Sequence, residues 1–134
     1  MKKIILVCLC SLFMGCEVLA IVAIPTYNNY VKEGYAAEVK VQIRNIVQAS
    51  EMYYTENGDF PPDCWETMKD EGYIEIKKSV TNKWVFECYF AEEGEGGIIC
   101  ATSTSEHSGG TGNTVCYDVD SRRFSGYGQS SDYE

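Results

Sequence analysis

Histidine, proline and positive charge are all scarce in this sequence. Its 134 residues include one histidine, His107, three prolines, and 11 lysines and arginines against 20 aspartates and glutamates, for a formal charge of −9. The shortages of histidine and of positive charge each argue against a class of function. A single histidine, set in the Gly/Ser/Thr-rich stretch 105–113, supplies neither a paired zinc site nor the base of a nucleophile–base couple. Cys64, Cys88, Cys100 and Cys116 form no CxxC pair, which also speaks against zinc. Glu66, Asp70 and Glu71 read as a solvated helical face, so the chain is not read as an enzyme. The shortage of basic residues disfavours nucleic acid and anionic headgroups as partners. The acidic residues are scattered, not massed, which reads as a solvated surface.

Long apolar runs are also few; one stands out. Residues 4–24, IILVCLCSLFMGCEVLAIVAI, contain a single charge, Glu17, and follow Lys2 and Lys3. As a helix this run of 21 residues is about 31 Å long, enough to cross a bilayer. The two lysines favour a cytoplasmic N-terminus. Glu17 near mid-membrane would cost roughly 2.5–3.5 kcal/mol and needs a partner. Three readings fit the run: a retained membrane helix, a lipoprotein signal with FMGC lipidated at Cys16, or a secretory signal cut after Ala20. Cys8, Cys10 and Cys16 lie inside the run and four cysteines lie beyond it. That even set of four reads as two disulfides in an oxidising compartment, hence as an exported domain.

Pro25 ends the apolar run, yet helical periodicity resumes at once. Tyr27, Val31, Tyr35, Val39, Ile43, Ile46, Val47 and Tyr53 or Tyr54 recur at spacings of three and four, with Lys32, Glu38, Lys40, Arg44, Gln48, Glu51 and Glu56 opposite. With no room for a loop, Pro25 is expected to bend a continuous helix. Asn57-Gly58 supplies a left-handed stop, and Phe60-Pro61-Pro62 prevents resumption. The expected division is an anchor or signal at 1–25 and a domain at 26–134. The domain comprises a helix at about 26–57, a linking segment at 58–82 with a short helical stretch near Trp65–Lys69, a sheet at about 83–128 and a polar tail.

The sheet reading rests on alternation. KWVFECYFAE puts Trp84, Phe86, Cys88 and Phe90 on one face, EEGEGG is a turn, and GIICATST is a second strand. TVCYDVD puts Val115, Tyr117 and Val119 on one face, and RRFSGYG is a candidate last strand. A long helix on an antiparallel meander of three or four strands is an α+β layer arrangement. Cys88 shares the core side with Trp84 and Phe86, whereas Cys116 shares its side with Thr114 and Asp118. Cysteines on opposite faces of a sheet cannot bond, so the preferred pairs are Cys64–Cys88 and Cys100–Cys116.

VLAIVAIPTYNNYV, Val18–Val31, resembles the end of the hydrophobic helix of type IV pilins and type II secretion pseudopilins. There an aliphatic run ends in Ile-Pro, an aromatic follows, and an amphipathic helix continues. YYTENGDFPP, Tyr53–Pro62, resembles the second landmark of that family, where the helix ends in a Tyr/Asn-Gly/Phe-Pro turn. Both occur in order at a fitting spacing. The departures are definite: an ungapped alignment on Pro25 puts Lys3 where the family has its cleavage-site glycine and Cys8 where it has its fifth-position glutamate, and Glu17 lies too far along to replace it.

The resemblance implies a long bent helix whose apolar half sits in membrane or filament core. It implies a structural subunit of a type IV pilus-like or secretion pseudopilus filament. Partners would be other copies or related subunits and the inner-membrane assembly machinery. The location implied is the bacterial inner membrane, with the globular domain in the periplasm, or an assembled filament. Glu17 is the assembly candidate. The alternative is an exported disulfide-bonded lipoprotein, lipidated at Cys16, or a secreted binding module derived from a pilin. No cofactor is expected. Because some pseudopilins hold calcium in a glycine-rich loop, Glu106, Asn113, Asp118 and Asp120 are the oxygen ligands to weigh, although their spacing matches no calcium loop and a solvated hairpin is the favoured reading.

Overall fold

Pro25 lies inside a helix. α1 spans Lys2–Asn57 without interruption, although proline removes one backbone hydrogen bond from the ladder. The computed structural model describes the backbone of residues 2–91 and 96–129, and side chains from residue 27 onward within those ranges. The surroundings of Cys16, Glu17 and the apolar run therefore lie outside the described residues, as do most of the 92–97 turn and the tail at 130–134. Among the described residues no helix is long and apolar enough to cross a membrane. The chain divides into two compact units, Met1–Val31 and Lys32–Glu134. Tyr27, Asn28, Asn29 and Tyr30 are all exposed.

Within the second unit the helical stripe is narrower than the spacing predicts. Ala36, Val39, Ile43, Ile46, Ala49 and Ser50 are buried, while Tyr35, Val47 and Tyr53 are partly covered. Two alanines and a serine complete the buried face, because small side chains let a helix approach a sheet closely. Ser50 satisfies its hydroxyl by donating to the Ile46 carbonyl at 2.7 Å. The helix stops where expected: Gly58 adopts φ 82° and its N–H reaches back to the Tyr54 carbonyl at 2.8 Å.

The segment after the stop holds two short helices. α2, Glu66–Asp70, seats Met68 in the core, and the Asp63 carboxylate accepts the Thr67 N–H at 3.0 Å and its hydroxyl at 2.5 Å. α3, Lys78–Lys83, seats Val80. This second helix lies at the end of the linking segment and is not signalled by its residues: KSVTNK is rich in residues of modest helix propensity, and burial of Val80 anchors the turn.

Four strands follow: β1 Trp84–Phe90, β2 Gly97–Ser103, β3 Thr114–Asp118 and β4 Arg123–Gly126. They form an antiparallel meander in the order β1-β2-β3-β4. The register pairs Phe86 with Ala101, Ala101 with Val115, and Tyr117 with Phe124. Period-two alternation sends Trp84, Phe86, Ile99, Ala101 and Val115 into one core with the helix stripe, Met68, Ile76 and Val80. β3 ends at Asp118, so Val119 lies beyond the strand to which alternation assigned it. Arg122 takes the left-handed conformation, φ 55°, in the β3–β4 turn, which lacks a glycine to do so. This is an α+β protein: a long helix on a four-stranded antiparallel sheet.

Candidate functional site

The disulfides sort by sheet face. Cys64 is bonded to Cys88 and Cys100 to Cys116. Cys88 shares the helix-facing side of β1 with Trp84 and Phe86, so its bridge ties the segment after α1 to the sheet beside the core. Cys100 and Cys116 are directly paired across β2 and β3, on the opposite face. That outer face also carries Val85, Tyr89 and Ile98, all exposed, with Tyr89 and Ile98 paired across β1 and β2.

Phe60 explains the turn motif after α1. Its ring stacks on Phe90 at 4.6 Å between centroids and lies 4.8 Å from Tyr54, while Pro61 is buried beneath. The Asn-Gly/Phe-Pro sequence thus ends the helix and delivers an aromatic onto the edge strand. A hollow of about 640 Å³ opens beside it, lined by Tyr54, Asp59, Pro62 and Tyr89 among others. Nearby, Tyr73 donates its hydroxyl to Glu56, and this bond pushes the phenol's ionisation upward.

The polar face of α1 is not uniformly solvated. The Lys40 ammonium and the Arg44 guanidinium lie over the Phe124 ring, at 5.6 and 5.1 Å from its centroid. Long cationic stems cover apolar surface in this way while the charge stays at its edge. Desolvation lowers the Lys40 pKa, with Glu33 opposing and Arg44 adding to the fall. Further along, Val41 and Met52 are 52% and 55% exposed, and Gln48, Glu51, Met52, Thr55 and Glu56 line a shallow hollow of about 420 Å³.

The largest surprise is His107. Composition assigns it to a solvated loop, but it is 5% exposed and ringed by aromatics. Trp84 and Tyr35 meet it edge-on at 4.5 and 5.0 Å, and Tyr127 stands at 6.4 Å. Its Nδ1 accepts the Gly109 N–H at 3.0 Å. Desolvation lowers its pKa, with Lys83 acting in the same direction and Glu38 and the Gly110 backbone opposing. No signal in the sequence marks this burial, since the aromatics that enclose the ring come from three distant positions. The Trp84 Nε1 and Gln42 Oε1 atoms are buried without a hydrogen-bond partner among the described residues.

The weighed calcium ligands are spread over the β2–β3 loop, β3 and the β3–β4 turn. Asn113 spends its amide donating to the Gly109 and Gly110 carbonyls at 3.0 Å each. Asp118 accepts the Ser121 N–H at 2.9 Å in the β3–β4 turn, Asp120 lies over Gly96, and Glu106 is exposed in the β2–β3 loop. Among the described residues no three His, Cys, Asp or Glu side chains group as a metal site. Glu66, Asp70 and Glu71 are exposed on and just after α2. Pro25 lies within α1; Cys16 and Glu17 fall outside the described side chains.

Neither a family model, nor a curated protein, nor a solved structure matches this chain.

Proposed function

We propose that the protein is a pilin-like structural subunit that assembles into a filament through its apolar N-terminal helix. The carrying observation is the coincidence of two sequence landmarks with helix geometry. Ile24-Pro25 with Tyr27 falls where one helix passes from an apolar to an amphipathic run without a break. NGDFPP falls where that helix stops and Phe60 docks on the sheet. A continuous helix with an apolar half and a sheet-covered half supports a part that can hold a subunit in the inner membrane and later pack among its neighbours. In this reading Pro25 bends the helix between its two environments.

Assembly would be association without turnover, with other copies or related subunits as partners and the inner-membrane assembly machinery as loader. The globular unit stands outside the cytoplasm, where its two disulfides persist. Glu17 is the one carboxylate in the apolar run. Buried among neighbouring helices it must be protonated or paired with a cation or donor, and so it sets how helices register. In a lipoprotein lipidated at Cys16, by contrast, it would sit one residue from the lipid in headgroups or water and need no partner.

The test is Glu17→Gln in the full chain, produced with the assembly machinery and scored for filaments by electron microscopy and sedimentation. The expected outcome is fewer filaments with export and the fold of the globular unit intact. Unchanged filaments would remove Glu17 from the mechanism. Absence of filaments from the unaltered chain with every candidate partner subunit would replace this reading with the lipoprotein one.

A further inference from the structure

We propose that His107 is a pH-sensitive latch that holds the β2–β3 loop, residues 104–113, closed against α1 and the segment leaving β4. The inference is independent of filament assembly. The loop is fastened in two ways, and only one depends on the imidazole. At its base Ser103 N–H donates to the Asn113 carbonyl at 2.9 Å, Gly112 N–H to the Ser103 carbonyl at 2.8 Å, and Ser103 Oγ to the Gly110 carbonyl at 2.7 Å. These bonds involve no group that titrates near neutrality. At its centre the loop is pinned by the His107 ring, inserted among Tyr35, Trp84 and Tyr127.

The pin requires a neutral ring. Nδ1 accepts the Gly109 N–H, so the ring proton must reside on Nε2. Gly109 is fitted tightly between the ring and Tyr127: a Cβ there would lie 2.8 Å from His107 Cε1 and 2.7 Å from the Tyr127 hydroxyl. When Nδ1 takes a proton it becomes a donor facing the Gly109 donor. The bond is lost, and a charge is left on a ring that is almost wholly removed from water.

The groups around the ring set the direction. From α1 come Tyr35 and Glu38, from α3 Lys83, from β1 Trp84, from the segment after β4 Tyr127, and from the loop itself the Gly109 N–H and the Gly110 carbonyl. Burial and Lys83 oppose the imidazolium. Glu38 and the Gly110 backbone favour it, but the Glu38 carboxylate is 3.9 Å from the Lys83 ammonium and both ends are partly exposed, so the pulls of that pair largely offset and burial sets the direction. Burial pushes the Tyr127 ionisation upward, away from the range in which a histidine titrates. The closed loop therefore binds a proton less readily than the open loop. Its stability is complete above the ordinary histidine value of about 6.5 and is lost as pH falls below that value, until the ring also titrates in the closed form.

The experiment is a pH series on the full chain in detergent, recording the ring nitrogens of His107 and the amide-exchange protection of Gly109 and Gly110 corrected for intrinsic rates. At pH 8 the ring is expected as the Nε2–H tautomer. Below about pH 6.5 the open fraction rises by up to about tenfold per pH unit and then levels. His107→Asn, which keeps an acceptor near the Nδ1 position but cannot titrate, removes the pH dependence. An Nδ1–H tautomer at pH 8, protection of Gly109 that does not change with pH, or an unchanged pH dependence in His107→Asn would each overturn the latch. Should His107→Asn not fold, the tautomer and the protection of the unaltered chain decide the matter.

Discussion

Removing the two disulfides separately should destabilise the globular unit unequally, and the structure says which loss is larger. The bridges close loops with sequence separations of 24 for Cys64–Cys88 and 16 for Cys100–Cys116. Loop-closure entropy alone gives about 3.4 and about 3.1 kcal/mol, too close to separate. Packing separates them. Cys64 is buried in the core and Cys88 packs against it, whereas Cys100 and Cys116 sit on the outer face of strands already paired by their backbones. Replacing Cys64 and Cys88 by alanine removes two sulfurs from packed surroundings, adding about 1 kcal/mol for the space left. The inner bridge is thus expected to be worth about 4–5 kcal/mol and the outer about 3. For a unit of roughly 100 residues each kcal/mol is about 4–8 °C in Tm. Thermal unfolding of the two double variants, followed by circular dichroism and calorimetry, should give melting points ordered unaltered chain, then Cys100→Ala/Cys116→Ala, then Cys64→Ala/Cys88→Ala. An outer-bridge variant as unstable as the inner one would refute the argument that core packing around Cys64 adds to loop closure.

Two further outcomes are expected. Ile43→Ala, at a position with no exposure on the buried stripe of α1, should cost about 2–5 kcal/mol in urea unfolding; a loss below 1 kcal/mol would mean that the stripe does not meet the sheet core. Residues 26–134 produced in an oxidising compartment should be soluble and folded with no free thiol, and two or more reactive thiols in the folded material would contradict the bridges.

The elements readable from sequence are those in which one local period decides the structure. Trp84, Phe86 and Cys88 alternate with Val85, Glu87 and Tyr89, so β1 and the face of each cysteine follow from parity. Val39, Ile43 and Ile46 mark the helix stripe, and Asn57-Gly58 its end. What escapes is what depends on distant neighbours. Lys78–Lys83 has little helical preference and is turned by the burial of Val80. Lys40 and Arg44 belong by period to a solvated face, but Phe124 draws them onto its ring. His107 lies in a stretch of Gly, Ser and Thr, and its burial is decided by Tyr35, Trp84 and Tyr127, between 20 and 72 residues away. The candidate assembly residue Glu17 stands out in the sequence because it is the one carboxylate in the apolar run, where burial among helices would be costly.

Mass spectrometry of the native N-terminus tests the central claim most directly. A subunit that assembles through its apolar helix must keep that helix, so the mature protein should retain residues 4–24 without lipid on Cys16. Diacylglycerol on Cys16, or a chain beginning at Ile21, would contradict a pilin-like subunit.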